Sequence, residues 1–328
     1  MKFIPSYIEL FKNGELKKRV EAALAMFRRC SICPQNCGVN RLEKERGFCK
    51  SGVLPVISSY TLHHGEEPVI SGSRGAGNIF FGSCNLRCIY CQNYEISQSW
   101  NEEEEHTVSA ERTAQIMIEL QEMGAHNIGL VSPTHLMPAI LESILIAVSN
   151  GLNLPIIYNS NGYDSVEMLK LLEGVIDIYL PDCKYGSDEY GKTYSGGADY
   201  FTHSKAAIKE MYRQVGNKLI IENGVAVRGL IIRHLVLPNG LSETEEVFRF
   251  IAGELNSGIY ISLMSQYYPA NKAHKEILLN RRLRESEYLK AVSLLEKYKL
   301  NNGWTQEIES CDYYRPEFNK DRENPFNN

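Results

Sequence analysis

Cysteine carries the most distinctive chemistry in this sequence. Cys84-x3-Cys88-x2-Cys91 places three thiols in one short segment. Three sulfurs can each hold one iron of a four-iron, four-sulfur cubane and leave the fourth iron without a protein ligand, whereas an electron-carrying cluster is ordinarily closed by four cysteines. An open iron is a place for an outside molecule to bind. A second group, Cys30-x2-Cys33-x3-Cys37 with Cys49 following Gly47, supplies four more thiolates. Four are enough to close a tetrahedral zinc site or a second cubane, and the spacing does not choose between them. Seven of the nine cysteines fall in these two groups, which argues against incidental reduced thiols; Cys183 and Cys311 stand alone, and Cys183 reads as a small core residue.

Other chemistry-bearing residues give weaker signals. Gly72-x2-Gly75-x-Gly77 begins like a dinucleotide loop, but Phe80 stands where the third glycine belongs and a cysteine loop, not a helix, follows. His63-His64 with Glu66-Glu67 has metal-like residue types, yet their adjacency argues against one chelating face and for a solvated loop. Glu102 to Glu105 reads as a solvated acidic loop.

The whole chain sets bounds on what these groups can do. At 328 residues it can bury one large α/β domain with appendages or two ordinary domains. Hydrophobic residues at 43% and charged residues at 23% describe a globular protein. A net charge of -5 offers no electrostatic footprint for a nucleic-acid backbone. No apolar run is long enough for a signal peptide or a membrane span, so the expected location is the cytoplasm, where thiols stay reduced and a disulfide framework is disfavoured.

The elements that position the cysteines are legible in outline. Glu15 to Arg29, with Leu16, Val20, Ala23, Leu24 and Phe27 on one side, predicts an amphipathic helix delivering the chain to Cys30. Six short apolar runs predict strands: 79–81, 128–131, 156–158, 175–180, 230–237 and 259–263. Between them Ser109 can cap a helix ending at Gly124, and Pro138 suits a first helical turn. Asp164 with Glu167 and Ser242 with Glu245 are spaced as capping boxes. Alternating strand and helix predicts a parallel sheet with helical crossovers, six units making an incomplete barrel with its reactive residues at the strands' carboxyl ends. Residues 219–227 predict an extra hairpin turning on Asn223-Gly224, and 285–300 a final covering helix; beyond Cys311 the polar, Asn-rich chain is expected to fray. The expected organisation is an N-terminal helix and four-cysteine extension over 1–74, a core over 75–270, and a covering helix and tail over 271–328.

The segment Gly82-Ser83-Cys84-Asn85-Leu86-Arg87-Cys88-Ile89-Tyr90-Cys91-Gln92-Asn93 resembles the signature of the radical S-adenosylmethionine family, including the aromatic residue before the last cysteine. The resemblance runs from about Gly75 to Pro269 and is nearest to the pyruvate formate-lyase activating enzyme group. It implies a partial (β/α)6 TIM-like barrel in which Cys84, Cys88 and Cys91 hold a 4Fe-4S cluster. S-adenosylmethionine would chelate the open iron and be split to methionine and a 5′-deoxyadenosyl radical, the electron coming from a donor such as flavodoxin or ferredoxin. Carried over position by position, Ser132-Pro133-Thr134-His135 stands where activating enzymes have Gly-Gly-Glu for the methionyl amine, so Thr134 or His135 would take that role. Asn159-Ser160-Asn161-Gly162 is similar to Asp-Thr-Asn-Gly, with an amide replacing the carboxylate. Asp182 and Lys184 match an Asp-x-Lys segment that meets the cofactor carboxylate, and Arg233 is placed either to reach that carboxylate or to stitch the barrel. Gln266 stands where activating enzymes place a histidine. The implied activity is hydrogen abstraction, either to install a glycyl radical on a partner protein or to modify a small molecule or peptide. A non-catalytic, zinc-stabilised binding protein is the alternative of another class, and it leaves the three-thiol group unexplained.

Overall fold

A computed structural model describes residues 3–312 and 315–326, and the side chain of Cys311 lies outside the described residues. Its strands are β1 (Ile57–His63), β2 (Ala76–Phe81), β3 (Ile128–Val131), β4 (Ile156–Asn159), β5 (Ile178–Tyr179), β6 (Ile220–Glu222), β7 (Val225–Leu235), β8 (Tyr260–Met264) and β9 (Asn302–Thr305). They form one sheet in the order β1-β2-β3-β4-β5-β7-β8-β9, with β6 paired to β7. From β2 to β9 every neighbour along this order is parallel, while β1 is antiparallel to β2. The two edge strands do not pair with each other, so this α/β barrel is partial, as the alternation of elements predicts.

Both edge strands were illegible in the sequence. β1 is half-exposed along its second half and β9 is four residues long, so neither shows the apolar run of a fully covered parallel strand. The predicted hairpin forms around Asn223-Gly224, but its second arm and the fifth core strand are one continuous element, β7.

The helices longer than one turn are α1 (Tyr7–Lys12), α2 (Glu15–Ala25), α3 (Ala110–Glu122), α4 (Met137–Ser149), α5 (Val166–Leu171), α6 (Asp188–Ser195), α7 (Tyr200–Val215), α8 (Thr244–Phe250) and α9 (Glu285–Lys297). Ser109 caps α3 by accepting the Arg112 amide, and Pro138 sits in the first turn of α4. The predicted helix to Arg29 ends at Ala25 and continues as a 3-10 turn, but its apolar side packs inward: Leu16, Val20 and Ala23 of α2 and Phe27 of the turn join the same apolar cluster as Leu130, Ile140 and Ile144, with Leu24 partly buried against it. At about 1.5–3 kcal/mol per fully buried large side chain, that face ties the N-terminal segment to the barrel core.

Four expectations need correction. Asp164 is not a cap; Ser165 accepts the Met168 amide, and Asp164 is buried among hydroxyl donors. Ser242 does not cap α8, whose N-cap is Glu243 without a side-chain bond; its hydroxyl accepts the Leu237 amide instead. The tail over 315–326 does not fray but docks: Phe318 is buried and packs on Phe80, with ring centroids 5.5 Å apart, and Arg322 donates to the buried carboxylate of Glu103 at 2.8 Å. Glu103 is thereby a structural acid, not part of a solvated loop.

Candidate active site

β2 is buried along its whole length and delivers the chain to Gly82 and Ser83, where a positive φ of 67° at Ser83 turns it into the three-cysteine loop. The loop is pinned on both sides. Arg87 and Ile89 donate their amides to the carbonyls of Ser195 and Tyr194 at the end of α6, at 2.8 and 2.9 Å. The Arg87 guanidinium lies between the rings of Phe48 and Trp100, 4.5 Å from each centroid.

Each sulfur meets a polar partner. Cys84 Sγ accepts from the Leu86 amide at 3.4 Å and from Asn161 Nδ2 at 3.3 Å, Cys88 Sγ accepts from Ser195 Oγ at 3.0 Å, and Cys91 Sγ lies 3.3 Å from Ser97 Oγ. Behind Cys88, the Tyr90 hydroxyl donates to Tyr185, which is bonded in turn to Ser195, both at 2.7 Å. Such bonds fix and tune sulfur ligands.

Burial pushes the Cys84 thiol up to about 12 and the Cys91 thiol up to about 11; it raises Cys88 as well, against the pull of the Lys184 ammonium. Thiols that resist ionisation this strongly become ligands when a metal supplies the compensating charge. Among the described residues no three Cys, His, Asp or Glu side chains close around a single ion. Tetrahedral zinc would ask for sulfurs about 3.8 Å apart, whereas each iron of a cubane takes its own. Three thiolates on one loop are a donor set that fits a four-iron cluster, and no other cysteine among the described residues lines the cavity to close its fourth iron. Cys183 supplies no fourth sulfur: it is fully buried, with the Ser204 hydroxyl directed at it, as expected of a core residue.

The three cysteines open on a cavity of about 800 Å³ at the carboxyl ends of the strands, within the range of about 300–1,000 Å³ usual for small-molecule sites. Asn159, Asp182, Lys184 and Arg233 all line it. Lys184 Nζ is ion-paired with Asp182; burial opposes its charge, but Asp182 and the Cys88 sulfur outweigh that and hold it above the ordinary ammonium range. Gly162 keeps this wall in place. Its φ is +75°, and a Cβ there would stand 2.0 Å from the Asp182 carbonyl oxygen, so the 159–162 and 182–184 turns meet backbone to backbone.

Arg233 is placed differently from a free carboxylate receptor. It binds Glu67 bidentately, at 2.8 and 2.6 Å, and also pairs with Glu66, which accepts from Asn78 Nδ2 at 2.6 Å. Burial opposes ionisation of Glu66, yet the guanidinium beside it holds its carboxyl down at about 2. Glu67 is buried and Glu66 partly buried, and both line the cavity, which corrects the solvated-loop reading for this pair.

Thr134 and His135 do not reach the cavity. Thr134 donates to Asp164 at 2.7 Å, within a buried network with Tyr158 and Ser160. His135 is fully buried with Nε2 3.0 Å from the Gly82 carbonyl oxygen, and burial lowers its pKa to about 3. From that turn it is Ser132, at φ 56°, that lines the wall. Asn161, Ser195 and Ser97 were the other omissions from the candidate set; of these only Asn161 stood inside a quoted motif. The opposite wall is made by Gln266 and by Pro316 and Phe326 of the tail, with the Phe326 ring tilted 39° against the His63 ring, centroids 4.1 Å apart.

Residues 78–251, more than half of the chain and including all three cysteines of the loop, match the family model of the radical SAM superfamily. The chain belongs to that superfamily. This radical SAM protein is 36% identical over 301 residues to an uncharacterized protein of Methanocaldococcus jannaschii, covering 90% of this chain and 82% of that one. A second uncharacterized protein of the same organism is 28% identical over 180 residues, half of this chain and 51% of that one. Among solved structures it is similar to HydG, a maturase of the FeFe-hydrogenase, with a TM-score of 0.46 and 14% identity over 68% of this chain and 48% of that one. It is also similar to anSMEcpe, solved with bound AdoMet and the Cp18Cys peptide, with a TM-score of 0.42 and 12% identity over 66% of this chain and 56% of that one. The radical SAM chain spans about half the length of each of these two structures. Its first cysteine group lies outside the matched residues. Among the described residues no helix is long and apolar enough to cross a membrane.

Proposed function

We propose that the cluster held by Cys84, Cys88 and Cys91, once reduced, supplies reductive cleavage of S-adenosylmethionine to methionine and a 5′-deoxyadenosyl radical that takes hydrogen from a substrate in the same cavity. The observation that carries this reading is the three-sulfur loop, opening directly on a cavity of about 800 Å³ that no other cysteine among the described residues lines.

The chain's own residues provide binding, charge and dryness. Lys184 lies where its charge acts on the Cys88 sulfur, offsetting negative charge at the cluster. The Asp182–Lys184 pair and the Arg233–Glu66–Glu67 group offer the cavity both signs of charge, which suits a cofactor carrying an amine and a carboxylate. Phe80, Met264 and Phe326 cover apolar wall and limit water around a reactive carbon centre. A flavodoxin- or ferredoxin-type protein is the electron donor in this scheme.

Glycyl-radical installation on a partner protein follows from the likeness to activating enzymes. The docked tail favours a second reading, radical modification of a small molecule or a single peptide side chain, because Pro316 and Phe326 occupy wall that a broad protein loop would need. Anaerobic protein given dithionite and S-adenosylmethionine is expected to release 5′-deoxyadenosine, and Cys88→Ser to abolish it. Intact cofactor beside a fully clustered wild type would falsify the proposal. Deuterium transfer into 5′-deoxyadenosine from labelled metabolites or labelled proteins separates the two acceptors.

A further inference from the structure

We propose that Cys30, Cys33, Cys37 and Cys49 hold a second iron–sulfur cluster whose charge is balanced by the buried guanidinium of Arg41. The loop is folded to bring them together. Cys30 donates its amide to Val39 and accepts that of Gly38, and the Asn36 amide closes a turn on the Cys33 carbonyl at 3.0 Å. The Phe48 amide donates to Cys37 Sγ at 3.3 Å, and a Cβ on Gly47 would stand 2.8 Å from that sulfur, so only glycine fits there. Cys30, Cys33 and Cys49 are buried.

Arg41 is the second, independent observation. It is 3% exposed and donates to Cys49 Sγ at 3.3 Å, to the His135 carbonyl at 2.8 Å and to the Gly52 carbonyl at 3.3 Å. Its Nε has no partner, and among the described residues no carboxylate pairs with it. Guanidinium stays protonated in proteins, and a buried, uncompensated cation is costly. The groups beside it able to carry negative charge are the cysteine sulfurs, which do so as thiolates on a metal. Four thiolates would satisfy zinc or a cubane alike, and contact with the three-cysteine loop through Gln35 and Arg87 favours the group that can relay electrons over redox-inert zinc.

The site also abuts the radical loop. Gln35 Nε2 donates to the Asn85 carbonyl, next to Cys84, at 3.0 Å, and Arg87 donates to the Phe48 carbonyl at 2.5 Å. His135, whose carbonyl receives Arg41, is bonded to Gly82 at the root of that loop.

The test uses full-length chain purified without oxygen and without added iron. In Cys84→Ser/Cys88→Ser/Cys91→Ser, which cannot hold the first cluster, the expectation is about four irons and four sulfides per chain. Wild type should hold about twice that. Arg41→Gln should lose at least two-thirds of the second cluster's iron, and Arg41→Lys should recover part of it. A folded triple-serine variant with zinc or with no metal overturns the assignment, as does wild type with only one cluster's iron. Full iron in Arg41→Gln overturns the role given to Arg41. None of these readouts requires cofactor cleavage, so failure here and failure of the radical reaction are told apart.

Discussion

Arg233→Met tests the central ion cluster most directly. The guanidinium compensates two carboxylates, Glu66 and Glu67, that have little access to water. Holding the Glu66 carboxyl at about 2 instead of 4.5 corresponds to about 3 kcal/mol at pH 7. That agrees with the about 3–5 kcal/mol typical when one partner of a buried pair is removed. The sign follows from the direction of the shift. In wild type the carboxyl is depressed, so its contribution is present above pH 4.5 and is lost as pH falls toward 2. In the variant burial acts without the guanidinium, the Glu66 carboxyl rises above 4.5, and its protonation relieves the folded state as pH drops. Urea unfolding followed by circular dichroism should therefore show a loss of about 3 kcal/mol at pH 7.5 and a smaller one at pH 5. Adding Glu66→Gln and Glu67→Gln should restore most of it. A penalty under about 1 kcal/mol, the value of a surface pair, or one unchanged by the added glutamines, refutes the reasoning.

Ser195→Ala removes the donor to the Cys88 sulfur, which disfavours the more negative reduced cluster, so the midpoint potential in an EPR-monitored titration should fall; a rise contradicts the assigned bond. Burial raises the Asp177 carboxyl to about 7 although it accepts the amides of Ser6 and Ile156. Its contribution is full below its unfolded value of 3.8 and is lost as pH rises through 7, a swing of about 4 kcal/mol, so Asp177→Asn should flatten the dependence of urea midpoint on pH between 5 and 8. Arg322→Ala leaves the Glu103 carboxylate buried without its cation, at about 1–3 kcal/mol, and hydrogen exchange should show residues 318–326 losing protection before the barrel does.

Short apolar runs and period-3.6 patterning made the core strands and the helices around them readable, because a covered parallel strand is buried on both faces and a helix along one stripe. The sulfur loop was readable because cluster ligands need fixed local spacing. What sequence could not convey was pairing at a distance. Glu66 and Glu67 read as solvated because their partner Arg233 lies more than 160 positions further along, and charges look exposed until such a partner is placed. Asp164 was mistaken for a cap because its partners Thr134, Tyr158 and Ser160 converge only in the fold. The tail read as loose because its anchors, Phe318, Arg322 and Phe326, are few among polar residues, and the surface they meet is assembled from β1, β2 and the segment at Glu103. Arg41 gave no local hint of burial at all.

The absent Cβ at Gly162 divides the chamber into a half that resists redesign and a half that invites it. Where two turns touch through their peptide groups, no side chain can be enlarged without displacing both, and variation there would be felt at Cys84 through Asn161. Across from it, Gln266 and the tail contribute exchangeable side chains. Efforts to retune substrate choice should begin on that side.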